Sequence, residues 1–335
     1  MAFGKKRIAL LFGGAGREHA VSVQSAEYVS GILDREKYEI IPVFLDTGGG
    51  FSLKRGRKYT PTFPIRLGRR RGLYTDGGVI PVDCAIPMLH GDFGEDGRVQ
   101  GALETAGIPF IGADTPCGAV ASDKAFTRAL AASVGIPVTR GVTLSRRSTD
   151  GEIIAAAREI GERVFIKPTR LGSSIGASPA TKDGEITDAF HRAAGYGCDV
   201  LIEELVTPKR ELEIGVLATR DGVMLSPVGE VMCADFYDYE RKYHAGTKTV
   251  TAADIDRASA SKIEGYARAL VEAIGLRGPA RVDFFLSCGR VLLNEVNTMP
   301  GFTRDSLYPR LMQAAGIEPR ELFDILIEDA TEGGE

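Results

Sequence analysis

The chain has 335 residues, 44% of them apolar and 26% charged, and a formal net charge of −4 at pH 7. This length predicts two or three domains, because it exceeds what one ordinary hydrophobic core supports. The mildly acidic balance argues against a general nucleic-acid-binding protein, and no apolar run approaches the ~20 residues that a membrane-spanning helix needs.

The cysteines and the amino-terminal segment indicate a compartment. Five widely spaced cysteines include no Cys-x-x-Cys pair, which is typical of reduced thiols in a cytosolic protein. The basic segment Lys5-Lys6-Arg7 precedes an apolar run that is too short for a secretory signal. We therefore expect a soluble, cytoplasmic protein without a membrane or nucleic-acid partner.

Strand and helix patterns alternate along the first third of the chain. Strands are predicted at 7–12, 38–45, 82–88 and 109–111, and helices at 21–33 and 97–106. This alternation predicts an α/β unit with a parallel sheet under helical cover. The strongly basic stretch 54–71 is interpreted as a solvated connection within this unit.

The remainder of the chain predicts two smaller α+β units. Helices are predicted at 116–134, 186–194 and 254–274, and strands at 164–167, 200–204, 211–218 and 223–231. The turn Gly135-Ile136-Pro137 lies close to a boundary. We predict a substrate-binding unit at 1–117, a central unit at 118–208 and a carboxy-terminal unit at 209–335 that carries the metal and catalytic residues.

Hard-oxygen side chains interrupt two apolar strand patterns near the carboxy terminus. Asp283 ends one pattern, and Glu295 and Asn297 share one face of the next because side chains alternate along a strand. Carboxylate and amide oxygens are the ligands that Mg²⁺ prefers. If the two strands pair, they form a metal and nucleotide platform; the alternative is a surface hairpin with scattered polar residues.

A second motif places a lysine and small residues after a buried strand. Lys167 ends the pattern Val164-Phe165-Ile166, and Thr169-Arg170-Leu171-Gly172-Ser173-Ser174-Ile175-Gly176 follows. Such a loop lets backbone N–H groups approach phosphate oxygens while the lysine adds charge. The same segment matches the Gly-x-Ser-x-Gly elbow of α/β-hydrolases, but neither later histidine follows a convincing strand.

Four further polar residues suit ligand binding. Glu203 ends a strand pattern and Glu211 follows it, where they could meet an adenine amino group and ribose hydroxyls. Glu18 lies in a glycine-rich turn before the first helix, a place suited to a substrate ammonium. His90 lies in a polar loop after a strand, the edge at which α/β sheets place ligands.

Taken together, these segments resemble the ATP-grasp D-alanine–D-alanine ligases over essentially the whole chain. The matching motifs are Leu11-Phe12-Gly13-Gly14, Glu18, Val21-Ser22, Leu89-His90-Gly91, Gly94-Glu95-Asp96-Gly97, Ser122-Asp123-Lys124, Lys167-Pro168, Gly172-Ser173-Ser174-Ile175-Gly176, Phe236-Tyr237-Asp238-Tyr239-Glu240-Arg241-Lys242-Tyr243, Arg281-Val282-Asp283, Asn294-Glu295-Val296-Asn297-Thr298 and Pro300-Gly301-Phe302-Thr303. The resemblance implies an ATP-grasp fold with an amino-terminal parallel-sheet domain. It also implies a homodimer, because enzymes of this family commonly form dimers.

The resemblance also implies a role for each matched residue. ATP would be bound by Lys124, Lys167, Ser174, Glu203, Glu211, Phe236 and Lys242. Asp283, Glu295 and Asn297 would hold two Mg²⁺ ions, for which Mn²⁺ is an alternative. In catalysis, Glu18 would bind the ammonium of the first D-alanine, and Ser173 and Tyr243 would hydrogen-bond with Glu18. Arg281 and the Gly301 N–H would stabilise the oxyanion, and His90 would assist deprotonation of the second amine. Ser306 and Leu307 would bind the second substrate.

Two alternative functions stay open at this point. Relatives of the vancomycin-resistance type join D-alanine to D-serine or D-lactate, and the segments at 36–39 and 293–302 are similar to that branch. Tyr243 after Lys242, and Leu307 after Ser306, favour D-alanine as the acceptor. A nucleotide-binding protein that has lost catalysis is the other alternative, although the lysine, the arginine and all three metal ligands are present.

Overall fold

A computed structural model describes residues 4–232 and 248–332. The amino-terminal elements are β1 (Lys6–Gly13), α1 (His19–Ile32), β2 (Tyr38–Leu45), β3 (Phe51–Arg55), β4 (Lys58–Pro61), β5 (Phe63–Leu67), β6 (Arg70–Thr75), β7 (Gly78–Pro81), β8 (Cys84–Pro87), α2 (Arg98–Thr105) and α3 (Thr115–Ala121). Strands β4-β3-β2-β1-β8 form one sheet, in which β1 runs parallel to β2 and β8. The predicted parallel sheet is therefore confirmed, with two antiparallel strands at one edge.

The central elements form a four-stranded antiparallel sheet. They are α4 (Lys124–Ser133), β9 (Gly141–Leu144), α5 (Asp150–Ile160), β10 (Val164–Pro168), β11 (Ser178–Ala180), α6 (Asp183–Ala194) and β12 (Val200–Glu204). The strand order is β11-β10-β12-β9. Helices α5 and α6 cover this sheet with a buried cluster of their own, which includes Ile153, Phe190 and Ile202.

The carboxy-terminal elements build a second antiparallel sheet in the order β15-β14-β13-β16-β17. They are β13 (Arg210–Thr219), β14 (Gly222–Met232), β15 (Lys248–Val250), α7 (Arg257–Ile274), β16 (Gly278–Ser287), β17 (Arg290–Asn297), α8 (Leu307–Ala314) and α9 (Pro319–Glu332). Strands β16 and β17 pair with Asp283 opposite Glu295 and Arg281 opposite Asn297. The pairing that the metal platform required is therefore confirmed.

The two ends of the chain share one hydrophobic core. Ile8 and Leu10 of β1 and Val29 of α1 belong to the same buried cluster as Tyr308 of α8 and Phe323 of α9. Met299 and Phe302, in the loop that leads into α8, also belong to it. Packing of this kind fixes the loop after β17 against the loops that follow β1 and β8. The predicted unit bounds stay a prediction, and the first of them lies within α3.

Three local predictions need correction. The single helix at 116–134 is two helices, because Ser122 ends α3 and the side chain of Asp123 caps α4 by accepting the Ala125 N–H. The basic stretch 54–71, interpreted as a solvated connection, is mostly exposed but is itself folded into strands, because it contributes to β3, β4, β5 and β6. Gly56 and Gly68 adopt positive φ angles of 63° and 60° in its turns, which glycine permits without strain.

The predicted strand at 109–111 is reduced to a single bridge from Phe110 to Ala85. Cys84, Cys117, Cys198 and Cys288 are free thiols, as predicted, and Cys233 lies outside the described residues. Across residues 4–232 and 248–332, no helix has the length and apolar character needed to cross a bilayer.

Candidate active site

Two adjoining cavities lie against the carboxy-terminal sheet. One, of about 780 Å³, lies between this sheet and the central sheet. The other, of about 810 Å³, lies between the same sheet and the amino-terminal loops. Both are lined by Lys124, Ser173, Glu213, Arg281 and Glu295. These shared residues mark the place where a group bound in one cavity can react with a group bound in the other.

Lys167 projects into the first cavity from the end of β10. Its Nζ lies 2.7 Å from Glu203 Oε1 and 3.2 Å from Asn294 Oδ1. The other oxygen of Glu203 accepts hydrogen bonds from Thr139 Oγ1 and Arg128 at 2.6 and 3.2 Å. Burial raises the pKa of Glu203, but the charges of Lys167 and Arg128 outweigh it and lower the pKa. Glu203 is thus an ionised anchor for Lys167 at the cavity wall.

Lys124 and the glycine-rich loop lie together beside Lys167. The Lys124 Nζ donates to the Leu171 carbonyl and lies 3.6 Å from Glu295 Oε2. Burial lowers the pKa of Lys124, which Glu295 partly restores and the nearby charge of Lys167 lowers further. Ser173 and Ser174 have φ angles of 53° and 57°, a region that residues other than glycine rarely adopt and that clusters at functional sites. The loop therefore has the geometry of a ligand-binding turn.

The second cavity brings Ser173 to the amino-terminal turn. Ser173 Oγ donates to Glu18 Oε1 at 2.7 Å, across 155 positions of sequence. Glu18 also packs closely on Gly91, where an added Cβ would lie 2.5 Å from Glu18 Oε2. The structure thus brings together Glu18 and Ser173, two of the three residues predicted to meet here. The third, Tyr243, lies outside the described residues, as do Phe236 and Lys242.

A row of carboxylates crosses the carboxy-terminal sheet between the cavities. Glu213 on β13 lies opposite Asp283 on β16, which lies opposite Glu295 on β17. The Arg281 guanidinium reaches Glu213 Oε2 at 2.8 Å and both oxygens of Asp283 at 2.7 Å. Burial lowers the pKa of Arg281, yet these carboxylates raise it well above its usual range. Arg281 is therefore a permanently charged group fixed from two sides.

Asp283, Glu295 and Asn297 are the residues that would hold a magnesium ion. Their oxygens are hard donors of the kind Mg²⁺ prefers, and Asn297 Nδ2 donates to Asp283 Oδ2 at 3.2 Å. All three side chains come from the paired strands β16 and β17. The donor set and its place beside two lysines suit an ion that is shared with phosphate oxygens.

The loop after β17 is held by the amino-terminal unit. His90 Nδ1 lies 2.9 Å from the Met299 carbonyl, and His90 Nε2 lies 2.9 Å from Ser25 Oγ. Because a carbonyl only accepts, Nδ1 carries a proton, and in the neutral ring Nε2 accepts from Ser25. His90 would have to give up the Ser25 bond to take a substrate proton, so its predicted role in deprotonation stays a prediction.

Glu95 also holds the loop after β17, through the backbone N–H of Met299. Its Oε2 accepts the Gly91 N–H at 2.7 Å, and its Oε1 accepts the Met299 N–H at 3.0 Å. Burial and the charge of Glu18 raise the pKa of Glu95 to about 7, although the two N–H groups lower it. Both backbone groups of Met299 are therefore held by side chains of one loop.

Gly301 and Ser306 lie next to each other in the second cavity. An added Cβ on Gly301 would be 3.0 Å from Ser306 Oγ, and Leu307 is nearly buried at the start of α8. Ser306 Oγ accepts the Thr303 N–H at 2.9 Å. The predicted oxyanion N–H and the predicted second-substrate residues are thus adjacent. Glu211, the predicted ribose ligand, lines the first cavity at 2.8 Å from Lys209 Nζ.

Sequence reasoning missed several polar residues of this site. Glu213 gave a usable signal, because it alternates with Glu211 on one strand. Glu95 lies within a matched motif, but the resemblance implies no role for it. Arg128, Ser25 and Arg310 gave no local signal; Arg310 lines the second cavity and donates to Thr249 Oγ1 at 2.7 Å.

Known proteins with this organisation are similar over nearly the full chain. The family models described as D-ala D-ala ligase N-terminus and C-terminus match residues 7–113 and 130–328. A D-alanine–D-alanine ligase of Deinococcus radiodurans is 39% identical and covers 98% of this chain and 99% of its own. The structure of D-alanyl-alanine synthetase A from Vibrio cholerae has a TM-score of 0.89 at 30% identity, covering 99% of this chain and 100% of its own.

A D-Ala:D-Ser ligase, VanG of Enterococcus faecalis, has a TM-score of 0.87 at 33% identity, covering 97% of this chain and 99% of its own. The fold is that of the ATP-grasp D-alanine–D-alanine ligases, and the protein is an ATP-dependent ligase. The chain belongs to the D-alanine–D-alanine ligase family.

Proposed function

We propose that this protein joins two D-alanine molecules through a D-alanyl phosphate, consuming ATP, to supply the dipeptide for peptidoglycan synthesis. The observation that carries the proposal is the junction of the two cavities at Arg281, Glu295, Lys124 and Ser173. A nucleotide in the first cavity and an amino acid in the second would meet there.

In the first step, the carboxylate of the first D-alanine attacks the γ-phosphorus of ATP and the bond to the β-phosphate oxygen breaks. Glu18, oriented by Ser173, would receive the ammonium of this D-alanine. Lys124 and Lys167 would offset the charge of the phosphates, with Lys167 held by Glu203. Ser174, Glu211, Phe236 and Lys242 would complete the nucleotide site. The products of the step are ADP and D-alanyl phosphate, which has a good leaving group.

In the second step, the amine of the other D-alanine attacks the acyl carbon and phosphate leaves. The attack creates a tetrahedral oxyanion, which fixed hydrogen-bond donors would stabilise most strongly once water is excluded. Arg281 and the Gly301 N–H would be those donors, and Tyr243 would help close the site. Ser306 and Leu307 would bind the second D-alanine by its carboxylate and side chain, and His90 lies nearby to assist loss of the amine proton.

Asp283, Glu295 and Asn297 would hold Mg²⁺. When bound, two such ions neutralise phosphate charge and so reduce the repulsion between a carboxylate and ATP. The number of ions belongs to the proposal, as does Mn²⁺ as a replacement.

The direct test measures phosphate release with ATP and Mg²⁺, supplying D-alanine alone or together with D-serine or D-lactate, and identifies the products by mass. We expect strong turnover on D-alanine alone and a dipeptide product. The likeness to VanG makes D-serine the specific alternative acceptor. If the main product contains D-serine or D-lactate, the protein is a ligase of the vancomycin-resistance type. ATP binding without any ligation would indicate a catalytically inactive nucleotide-binding protein.

We further propose a cytoplasmic homodimer. Strands β5 and β6 expose Phe63 and Leu67 to 48% and 52% and Tyr74 to 36%, and Phe63 stacks on Tyr74 with ring centroids 5.1 Å apart. Exposed apolar side chains grouped in this way are typical of an association surface. Light scattering should give twice the 35.9 kDa of one chain, and the double variant Phe63→Ser, Leu67→Ser should lower that mass if this surface is the interface.

A further inference from the structure

The loop that carries the proposed oxyanion donor is clamped at two positions. Met299, two residues before Gly301, is bound at its N–H by Glu95 and at its carbonyl by His90. Phe302, the residue after Gly301, donates its N–H to Ser25 Oγ at 3.3 Å. All three clamping side chains belong to the amino-terminal unit, whereas Gly301 follows β17. The position of the Gly301 N–H is therefore set by residues more than 200 positions away in sequence.

Glu95 has the chemistry for this task. A partly buried carboxylate still needs hydrogen-bond donors around it, and the two oxygens of Glu95 each accept one backbone N–H. One of these N–H groups belongs to Gly91, on which Glu18 packs. Glu95 thus connects the loop that bears the oxyanion donor to Gly91 in its own loop, on which the ammonium-binding carboxylate Glu18 packs.

We propose that Glu95 is a positioning residue that sets the Gly301 N–H relative to the first substrate by accepting the Met299 and Gly91 N–H groups together. The inference rests on the proposed function, because the oxyanion exists only in that reaction. Donors in an oxyanion site must be held to within about 0.5 Å of the productive geometry, and a clamp on both sides of Gly301 provides this.

Glu95→Gln tests the role. A glutamine oxygen can accept one of the two N–H groups, but its NH₂ then faces the other, so one backbone bond is lost. We expect kcat to fall by about 10- to 100-fold, as it does when a supporting hydrogen bond around a metal ligand is lost, with KM for ATP unchanged. Formation of D-alanyl phosphate should continue, so more than one ADP should appear for each dipeptide as the intermediate hydrolyses.

Glu104→Gln is the matched control. Glu104 also accepts a backbone N–H, from Thr115 at 3.1 Å, but it lies on α2 away from both cavities. This variant should keep the wild-type ratio of ADP to dipeptide. Glu95→Asp provides a second variant if Glu95→Gln folds poorly, because it keeps the charge but is too short to reach both N–H groups.

Backbone amide exchange gives a readout that does not depend on ligation. In Glu95→Gln and Glu95→Asp, the peptide containing Met299 should exchange faster than in the wild type, while the central sheet is unchanged. Wild-type exchange together with a one-to-one product ratio would overturn the proposal. Failure of the wild type to make dipeptide would instead refute the proposed function, and the exchange experiment would still decide whether the clamp exists.

The clamp also predicts a pH dependence. The pKa of Glu95 is raised to about 7 by burial and by Glu18, with a smaller contribution from Glu295, against the lowering effect of the N–H groups of Gly91 and Met299. The ionised form accepts both N–H groups, and protonation as the pH falls through about 7 turns one oxygen into a donor. The kcat of the wild type should therefore fall on the acidic side of pH 7. Glu95→Gln should lack this limb; an unchanged limb would assign it to another group.

Discussion

Glu295→Gln is expected to reduce ligation at least a thousandfold while the fold is retained. Glu295 lies at the junction of the cavities, opposite Asp283 and 3.6 Å from Lys124 Nζ. The amide removes one negative charge and one strong oxygen ligand, and metal-assisted phosphoryl transfer depends on several kcal/mol of such charge stabilisation. ADP formation and dipeptide formation should be lost together.

Stability should change little in this variant. The side chain of Glu295 is 22% exposed to solvent, and a glutamine oxygen at this position can still accept a hydrogen bond from Lys124. The free energy of unfolding should therefore change by no more than about 1 kcal/mol. Glu39→Gln is a control, because it removes a carboxylate paired with Arg7 at 3.2 Å far from both cavities. Full activity of Glu295→Gln would remove the basis of the metal assignment.

Arg281→Gln should impair both catalysis and folding. Loss of an oxyanion donor costs about 10² to 10³ in rate. Breaking a buried ion pair by removing one partner costs about 3–5 kcal/mol, because the remaining charges are left buried, and here Glu213 and Asp283 both lose their cation. Activity and thermal unfolding of the variant measure the two effects.

A second substitution separates these effects. In the double variant Glu213→Gln, Arg281→Gln one buried charge is neutralised, so part of the stability should return while the rate stays low. Arg7→Gln is the control for stability, because Arg7 pairs with Glu39 at 3.2 Å with both side chains exposed, at 43% and 55%, and such exposed pairs contribute about 0–1 kcal/mol. Restored activity in the double variant would exclude Arg281 as an oxyanion donor.

The parts of the site that follow strand periodicity could be predicted from sequence. The alternation of Glu295 and Asn297 required only that two neighbouring strands pair. Lys167 at the end of β10 is a prediction of the same kind. In each case the local pattern determines which face of the strand the side chain lies on, and the pairing of strands in the sheet determines which residues lie beside it. Asp283 is on the predicted strand, but it lies in the middle of β16 (Gly278–Ser287) and does not end the strand as predicted.

The contacts that hold the site in place could not be predicted in this way. Arg128 reaches Glu203 across 75 positions, and Met299 reaches Glu95 across 204. No periodicity connects such positions, because they meet only when separate sheets pack. The error at 116–134 has a different origin: the helical pattern was correct, but the capping residue Asp123 inside it signals a new helix.

The core shared by the two ends of the chain has a consequence for how this protein is made. The face of the amino-terminal sheet formed by Ile8 and Leu10 is covered by Phe323 and its neighbours on α9, which the ribosome synthesises after all the strands of that sheet. During synthesis this face stays exposed, whereas the central sheet carries its own buried cluster and can fold as soon as β12 emerges. The middle of the chain should therefore be protected from proteases in nascent chains that end before α9, and the first hundred residues should not.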